Sequence, residues 1–272
     1  MESIRKAKVA HRFNRSVLTY DQQARVQKQM AHHLIKLLSY RRNPVERICE
    51  IGCGTGYLTG LLIDRYPHAE IVAIDLASKM IEVAKEKVKS PHVQFIVGDA
   101  EALQQLVSGP FDLIISNATI QWLTDPKSTV YSWAEALQPT GWLVSSTFGQ
   151  DTFQELATIF QKIESELLIR SSQHRLTMHS LEKWQEVWKQ AGLTMLKGIE
   201  DWKRMSYSSC RDFFQSIKAT GANYSETTPS LSVHRKLLPR VMDQYDQIYQ
   251  MESGVYATYH LLYLVGQKDR RL

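Results

Sequence analysis

Short apolar segments alternate with longer mixed stretches between residues 45 and 149. Apolar runs of this length, bounded by glycine and polar residues, are typical of strands that are buried on both faces of a sheet. Strands that alternate with helices predict an α/β fold with a mostly parallel sheet. The five candidate strands lie within residues 47–51, 70–75, 93–100, 111–118 and 141–148.

Three glycines at alternate positions, Gly52, Gly54 and Gly56, follow the first candidate strand. Glycine lets the backbone turn sharply and approach a ligand without interference from a Cβ atom. A dinucleotide loop uses the spacing G-x-G-x-x-G to bind a pyrophosphate, and here the third glycine comes one residue early. Glu50, at the loop entrance, would repel a phosphate and attract a cation. S-adenosylmethionine (SAM) carries a sulfonium, an ammonium and no phosphate, so the loop favours SAM over NAD.

Polar residues follow the next three strands, at the sheet edge where open α/β folds bind ligands. Asp75 ends the second strand at the position that receives ribose hydroxyls. Asp99 is expected to accept a hydrogen bond from an adenine amino group, and Asn117 to lie beside the sulfonium. The predicted cofactor contacts are Tyr20, Glu50, Gly52, Gly54, Gly56, Asp75, Leu76, Asp99, Ala100 and Asn117, and the predicted positioning residues are Tyr20, Asn117, Gln121 and Trp122.

These motifs, in this order, resemble those of class I SAM-dependent methyltransferases. The resemblance covers residues 45–149 and implies a Rossmann-like sheet of seven mostly parallel strands with helices on both faces. Residues 193–207 and 255–266 are the candidate sixth strand and antiparallel seventh strand. We expect one domain with five parts: an N-terminal helical cover (1–44), the SAM-binding core (45–149), a helical insertion (151–191), a lid insertion (208–252) and a final strand (253–272).

Composition and charge argue against several other classes. No run approaches the roughly 20 apolar residues of a membrane span, and the N-terminus lacks the pattern of a signal peptide, so we expect a cytoplasmic protein. The chain has three cysteines, Cys49, Cys53 and Cys210, and no second pair of metal ligands accompanies them. We therefore expect neither a disulfide nor a metal site. Residues 1–47 are basic, as in a solvated helix face or a surface for an acidic partner, and contain no recognised nucleic-acid-binding module.

Two segments outside the core narrow the resemblance. Residues 9–27 contain Phe-Asn-Arg and then Thr-Tyr-Asp, and Phe13 and Tyr20 are expected to close over bound SAM. Residues 213–223 contain Ile-Lys-Ala-Thr-Gly-Ala-Asn. With these segments, nearly the whole chain resembles the malonyl-acyl-carrier-protein O-methyltransferase family. The resemblance implies methylation of the free carboxylate of a malonyl thioester, carried on acyl-carrier protein or coenzyme A, as an early step of biotin synthesis.

The implied chemistry needs no general base, because a carboxylic acid with a pKa of about 4 is ionised at neutral pH. Catalysis then depends on in-line placement, exclusion of water and a cation that holds the carboxylate. The core loops offer acids, amides and aromatic residues but no basic residue, so we expect the cation in the inserted segments. The candidates are Arg175, Arg204 and Lys218.

Three alternatives remain open from the sequence. The chain could methylate another small carboxylic acid or a quinone ring, for which acceptor assays would discriminate. It could use the same fold to hydroxylate a protein arginine, which would make the reaction depend on oxygen. It could also be a SAM-binding assembly factor that binds the cofactor without consuming it.

Overall fold

The computed structural model describes residues 2–168, 176–221 and 231–270, and the side chains of residues 5–168, 176–221 and 237–270. Its strands form one mixed sheet. The strands are β1 (Arg47–Ile51), β2 (Glu70–Asp75), β3 (Val93–Val97), β4 (Phe111–Asn117), β5 (Leu137–Phe148), β6 (Leu193–Tyr207), β7 (Gln250–Met251) and β8 (Gly254–Lys268).

The strand order confirms the predicted Rossmann-like fold of class I methyltransferases. Along the sheet the order is β3-β2-β1-β4-β5-β8-β6, and the two-residue β7 pairs with β8. Strands β1 to β5 pair in parallel, whereas β8 runs antiparallel to both β5 and β6. The predicted sixth and seventh strands are therefore present as β6 and β8. The short β7 makes an eighth strand that the sequence did not predict.

Strand β5 begins four residues earlier than the predicted strand at 141–148, because Pro139, Thr140 and Gly141 lie inside it. Leu137 pairs with Phe111, and the next pair along is Trp142 with Leu113, so β5 bulges between the two pairs. Thr140 adopts a positive φ of 66° in this bulge. The Pro-Thr-Gly sequence thus bends a strand without ending it.

The described helices lie on both faces of the sheet and over its carboxyl edge. None of them is long and apolar enough to cross a membrane. The helices are α1 (Glu2–Gln23), α2 (Arg25–Leu37), α3 (Tyr57–Arg65), α4 (Ser78–Lys87), α5 (Leu103–Leu106), α6 (Pro126–Ala136), α7 (Gln154–Glu166), α8 (Leu181–Gln190), α9 (Cys210–Ala219) and α10 (Leu231–Ile248).

Buried residues of β4 divide between the two faces, because successive side chains of a strand point to opposite sides. Leu113 and Ile115 pack into one apolar cluster with α2 and α3, to which α2 contributes the stripe Met30, Leu34 and Leu37. Ile114 packs into the other cluster, which contains the buried tryptophans Trp133, Trp184 and Trp188 of α6 and α8. The sheet is consequently covered on both faces.

The two inserted segments share a third apolar cluster of their own. Helices α7, α9 and α10 pack together there, with Ile163, Phe213 and Tyr245 fully buried. Helix α9 also lies against α1, where the Thr19 hydroxyl donates to the Ala219 carbonyl at 2.8 Å. These contacts connect the inserted helices to the N-terminal cover.

Candidate cofactor and active site

A cavity lies at the carboxyl ends of β1, β2 and β4, and helix α1 forms its roof. Its walls combine the strand ends with apolar residues of α1, including Val9 and Phe13. This is the edge at which parallel α/β sheets bind ligands. Eight of the ten predicted cofactor contacts line it together: Tyr20, Gly52, Gly54, Asp75, Leu76, Asp99, Ala100 and Asn117.

All three loop glycines adopt a left-handed backbone conformation. Their φ angles are +72° at Gly52, +55° at Gly54 and +83° at Gly56. A Cβ atom on Gly52 would lie 2.1 Å from Thr119 Oγ1, so no side chain fits there. Gly54 borders the cavity, whereas Gly56 precedes the first residue of α3 and lies away from it. Glycine is thus required at these positions by conformation, and at Gly52 by close packing as well.

Asp75 holds the glycine loop and still faces the cavity. Its Oδ2 accepts a hydrogen bond from the Gly54 N–H at 2.8 Å, and its Oδ1 accepts one from the Ala77 N–H at 2.8 Å. Burial raises the pKa of Asp75, against the effect of these backbone hydrogen bonds. Each carboxylate oxygen has a further lone pair, so the group can also accept from two vicinal hydroxyls.

Glu50 is buried beside the loop and lines a smaller pocket that shares Tyr20, Gly52 and Asn117 with the main cavity. Its Oε2 accepts a hydrogen bond from Thr59 Oγ1 at 2.6 Å. Its Oε1 has no hydrogen-bond partner in the described part of the chain. Burial raises the pKa of Glu50 to about 8. A cation next to Oε1 would stabilise the ionised form, so this carboxyl group fits an ammonium ligand.

Lys6 reaches Asp99, the residue predicted to bind adenine. Lys6 Nζ lies 2.6 Å from Asp99 Oδ2 and 3.0 Å from Glu101 Oε1. Burial lowers the pKa of Lys6, but the hydrogen bonds to the two carboxylates outweigh this effect and raise it. Asp99 Oδ1 accepts from the Glu101 N–H at 3.0 Å. The N-terminal helix is therefore attached by an ion pair to the β3 end of the cavity.

Two of the predicted positioning residues have their amide groups occupied by the protein itself. Asn117 Nδ2 donates to the Gln27 carbonyl at 3.0 Å, and Asn117 Oδ1 accepts from Ser146 Oγ at 2.7 Å. Gln121 is buried; it donates to the Ala118 carbonyl at 2.8 Å and accepts from Thr147 Oγ1 at 2.8 Å. Gln121 is not among the residues that line the cavity. Its amide hydrogen bonds support the loop after β4, and its role as a positioning residue stays a prediction.

Aromatic residues form one side of the cavity. Phe13 makes edge-to-face contacts with Tyr20 at 6.3 Å and with Trp122 at 5.7 Å between ring centroids. Burial raises the pKa of Tyr20, and the nearby carboxylates Asp75 and Asp21 raise it further. Tyr20 therefore keeps its hydroxyl proton at neutral pH. The three rings give this side of the cavity an aromatic wall.

Two of the residues predicted to hold the substrate carboxylate, Arg204 and Lys218, lie outside the cofactor cavity. Arg204 is exposed on the edge strand β6, and its guanidinium carbon lies 4.6 Å from the centre of the Tyr256 ring. Lys218 is exposed in the last turn of α9. Neither lines the cavity, and a role for either in holding the substrate carboxylate stays a prediction. Arg175 lies outside the described residues.

The sequence analysis missed Arg5 and Lys6, which line the cavity from α1. The spacing of residues in α1 could have identified the helix face on which they lie. Arg5, Val9 and Phe13 are four residues apart and therefore share one face of a helix, the face that turns to the cavity. Among the described residues, no group of histidine, cysteine, aspartate and glutamate could hold a metal ion.

Comparisons with known proteins agree with this geometry. A family model described as a methyltransferase domain matches residues 43–225. Malonyl-[acyl-carrier protein] O-methyltransferase from Paenibacillus sp. is 37% identical over 267 residues, covering 94% of this chain and 97% of the relative. The protein of that name from Priestia megaterium is 39% identical, covering 95% and 96%.

The chain belongs to the malonyl-[acyl-carrier protein] O-methyltransferase family. Solved structures support the fold at low sequence identity. The YcgJ protein from Bacillus subtilis superposes with a TM-score of 0.58 at 17% identity, covering 88% of this chain and all of that one. A putative methyltransferase from Bacillus halodurans gives a TM-score of 0.58 at 14% identity, covering 87% and 98%.

Proposed function

We propose that this protein transfers the methyl group of SAM to the free carboxylate of a malonyl thioester carried on acyl-carrier protein. The observation that carries the proposal is the match, at 37–39% identity over nearly the whole length, to proteins named for this reaction. The glycine loop, the acids at the strand ends and the aromatic cover support the same reaction. The product would be a methyl ester that enters biotin synthesis, in the cytoplasm.

The residues of the cavity fit SAM in both shape and charge. The left-handed glycine loop provides backbone that can approach a ligand closely, and a Cβ atom at Gly54 would come within 3.9 Å of Tyr20 in that space. The unpartnered Oε1 of Glu50 suits the ammonium of the methionine part. Asp75 would accept the ribose hydroxyls, and Asp99 the adenine amino group.

When bound, SAM supplies an electrophilic methyl group on a positively charged sulfur. The chain's own residues supply orientation and a dry environment. Asp75 and the loop glycines fix the nucleoside end, and Phe13, Tyr20 and Trp122 exclude water. An ionised malonyl carboxylate is a nucleophile without further deprotonation, so no residue has to remove a proton. Most of the rate enhancement would then arise from alignment of the carboxylate oxygen with the methyl group.

Acceptor specificity tests the proposal. Purified protein is incubated with SAM and, separately, with malonyl-acyl-carrier protein and acetyl-acyl-carrier protein, and S-adenosylhomocysteine is measured. We expect turnover only with the malonyl form, because the acetyl form has no free carboxylate. Equal turnover of both forms, or turnover of neither while SAM binds, would reject the proposal. Oxygen-dependent modification of an arginine would instead identify a hydroxylase.

A further inference from the structure

A second cavity of about 500 Å³ lies between the α1–α2 junction, α9 and the adjoining ends of β6 and β8. We call it the acceptor groove. It shares no lining residue with the cofactor cavity in the described parts of the chain. Its size is within the range of about 300–1,000 Å³ that is typical of ligand sites. The groove is lined by Gln23, Arg25, Val26, Met205, Ser206, Tyr207, Ser208, Asp212, Gln215, Ser216, Ala219, Ser253 and Tyr259.

The acceptor groove continues the same sheet edge that holds the cofactor cavity. The cofactor cavity occupies the carboxyl ends of β1, β2 and β4, and the groove borders the carboxyl end of β6 and the start of β8. The ring of Tyr259, at the groove, lies 5.9 Å from that of Phe148, which ends β5. The α1–α2 junction lies between the groove and the small pocket beside Glu50: Ala24 and Gln27 line that pocket, and the intervening Val26 lines the groove.

The lining of the groove is mostly uncharged and polar. Serine hydroxyls at 206, 208, 216 and 253 are joined there by the amides of Gln23 and Gln215. The hydroxyls of Tyr207 and Tyr259 lie 2.7 Å apart. Burial raises the pKa of both tyrosines, so both remain neutral donors and acceptors at physiological pH. Such a surface complements the amides and hydroxyl of a phosphopantetheine arm.

The groove also carries one cation. Arg25, the first residue of α2, is exposed and is the single basic residue among the described residues that line the groove. It makes no ion pair with the described residues. Asp212, in the first turn of α9, is the acidic residue of the lining. A guanidinium group binds carboxylate and phosphate in two-point geometry, and a malonyl arm carries both kinds of anion.

We propose that the acceptor groove binds the phosphopantetheine arm of the malonyl substrate and that Arg25 pairs with an anionic group of that arm. This inference rests on the proposed function. It moves the cationic partner from the inserted segments to the start of α2.

Two variants test the groove with matched controls. Ser206→Trp places a large side chain at an exposed groove position, and Leu196→Trp places the same side chain at an exposed position of β6 outside the groove. Arg25→Gln removes the groove cation. Arg42→Gln is the control and makes the same charge change at an exposed residue. Arg42 lies at the opposite end of the sheet, where its neighbour Arg41 donates a hydrogen bond to the Thr140 carbonyl.

We expect Arg25→Gln to raise KM for both malonyl-acyl-carrier protein and malonyl-coenzyme A about tenfold, the loss expected for one charge-assisted contact. Ser206→Trp should raise both KM values by filling part of the groove. The Kd for SAM, measured by calorimetry, should not change, nor should KM in the two controls. Malonyl-pantetheine, which lacks the phosphate, identifies the anion: Arg25→Gln raises its KM only if Arg25 holds the carboxylate. KM values unchanged in both groove variants would overturn the inference. Wild-type protein that methylates no malonyl thioester would instead overturn the proposed function.

Discussion

Alanine at Gly52 should destabilise the protein far more than alanine at Gly54. Both residues have a left-handed backbone, with φ of +72° and +55°, which costs a residue with a Cβ atom about 1–2 kcal/mol. At Gly54 the nearest atom to an added Cβ is Tyr20 Cε1, at an ordinary 3.9 Å. At Gly52 the added Cβ would lie 2.1 Å from Thr119 Oγ1 and 2.8 Å from Thr119 Cβ.

The crowding at Gly52 cannot be relieved by a small shift. The N–H groups of Gly52 and Cys53 both donate to the Ile74 carbonyl, at 2.8 and 3.0 Å, and Thr119 Oγ1 donates to the Asn117 carbonyl at 3.0 Å. Overpacking of this kind costs about 1–3 kcal/mol. We therefore expect Gly52→Ala to lower the free energy of unfolding by about 2–5 kcal/mol and Gly54→Ala by about 1–2 kcal/mol.

Urea unfolding of both variants measures the difference, and a double-mutant cycle identifies its cause. Removal of the Thr119 side chain in Thr119→Gly should make Gly52→Ala no more costly than Gly54→Ala. Equal losses for the two single variants, or no recovery in the Thr119→Gly background, would refute the argument from packing. SAM binding adds a second readout, because Gly54→Ala should weaken binding through its Cβ in the cavity.

Three further predictions concern charged residues of the site. Asp75→Ala should weaken SAM binding about 10- to 100-fold by calorimetry, since hydrogen bonds to a charged group are lost; unchanged affinity would refute the ribose assignment. The pKa of Glu50 is raised to about 8, so the folded state binds more protons than the unfolded state between about pH 4.5 and 8, and stability falls as pH rises through this window. Glu50→Gln should reduce that fall in urea titrations and weaken SAM binding, while Asp75, whose pKa is also raised by burial, keeps its own part of the fall; a fall as large as in the wild type would contradict this. The pKa of Lys6 is raised, so its ion pairs with Asp99 and Glu101 stabilise the fold below pH 10.5 and this contribution is lost at higher pH. Lys6→Met should therefore be less stable than the wild type at pH 7, with the difference shrinking above about pH 10.5; a pH-independent difference would mean that packing alone is lost.

The sequence predicted the core because each of the first four strands has an apolar pattern and is followed by a candidate site residue. The glycine loop, Asp75 and Asp99 directly follow consecutive strands, and the fold brings them to one cavity. The sequence also predicted that β6 and β8 are long, because both are long runs of strand-forming residues between turns. Local patterns of this kind determine the sheet and its ligand edge.

The sequence does not specify where the side chains of α1 and α2 lie relative to the cavities. Lys6 meets Asp99 across 93 positions of sequence, and such a contact depends on how the cover helix docks. Gln121 follows a strand end, as a ligand-binding residue would. The sequence does not show that its side-chain oxygen accepts a hydrogen bond from Thr147 on the neighbouring strand. Arg204 and Lys218 were chosen for their charge and their segment, and neither criterion specifies which side of a strand or helix faces the substrate.

Mass spectrometry of the acyl group tests the central claim most directly. The protein is incubated with malonyl-acyl-carrier protein and SAM that carries a deuterated methyl group. The account predicts one deuterated methyl group per malonyl chain, so that cleavage of the thioester releases monomethyl malonate that carries the label. A released malonyl group without the label, or a label that stays on the carrier protein itself, would contradict methylation of the malonyl carboxylate.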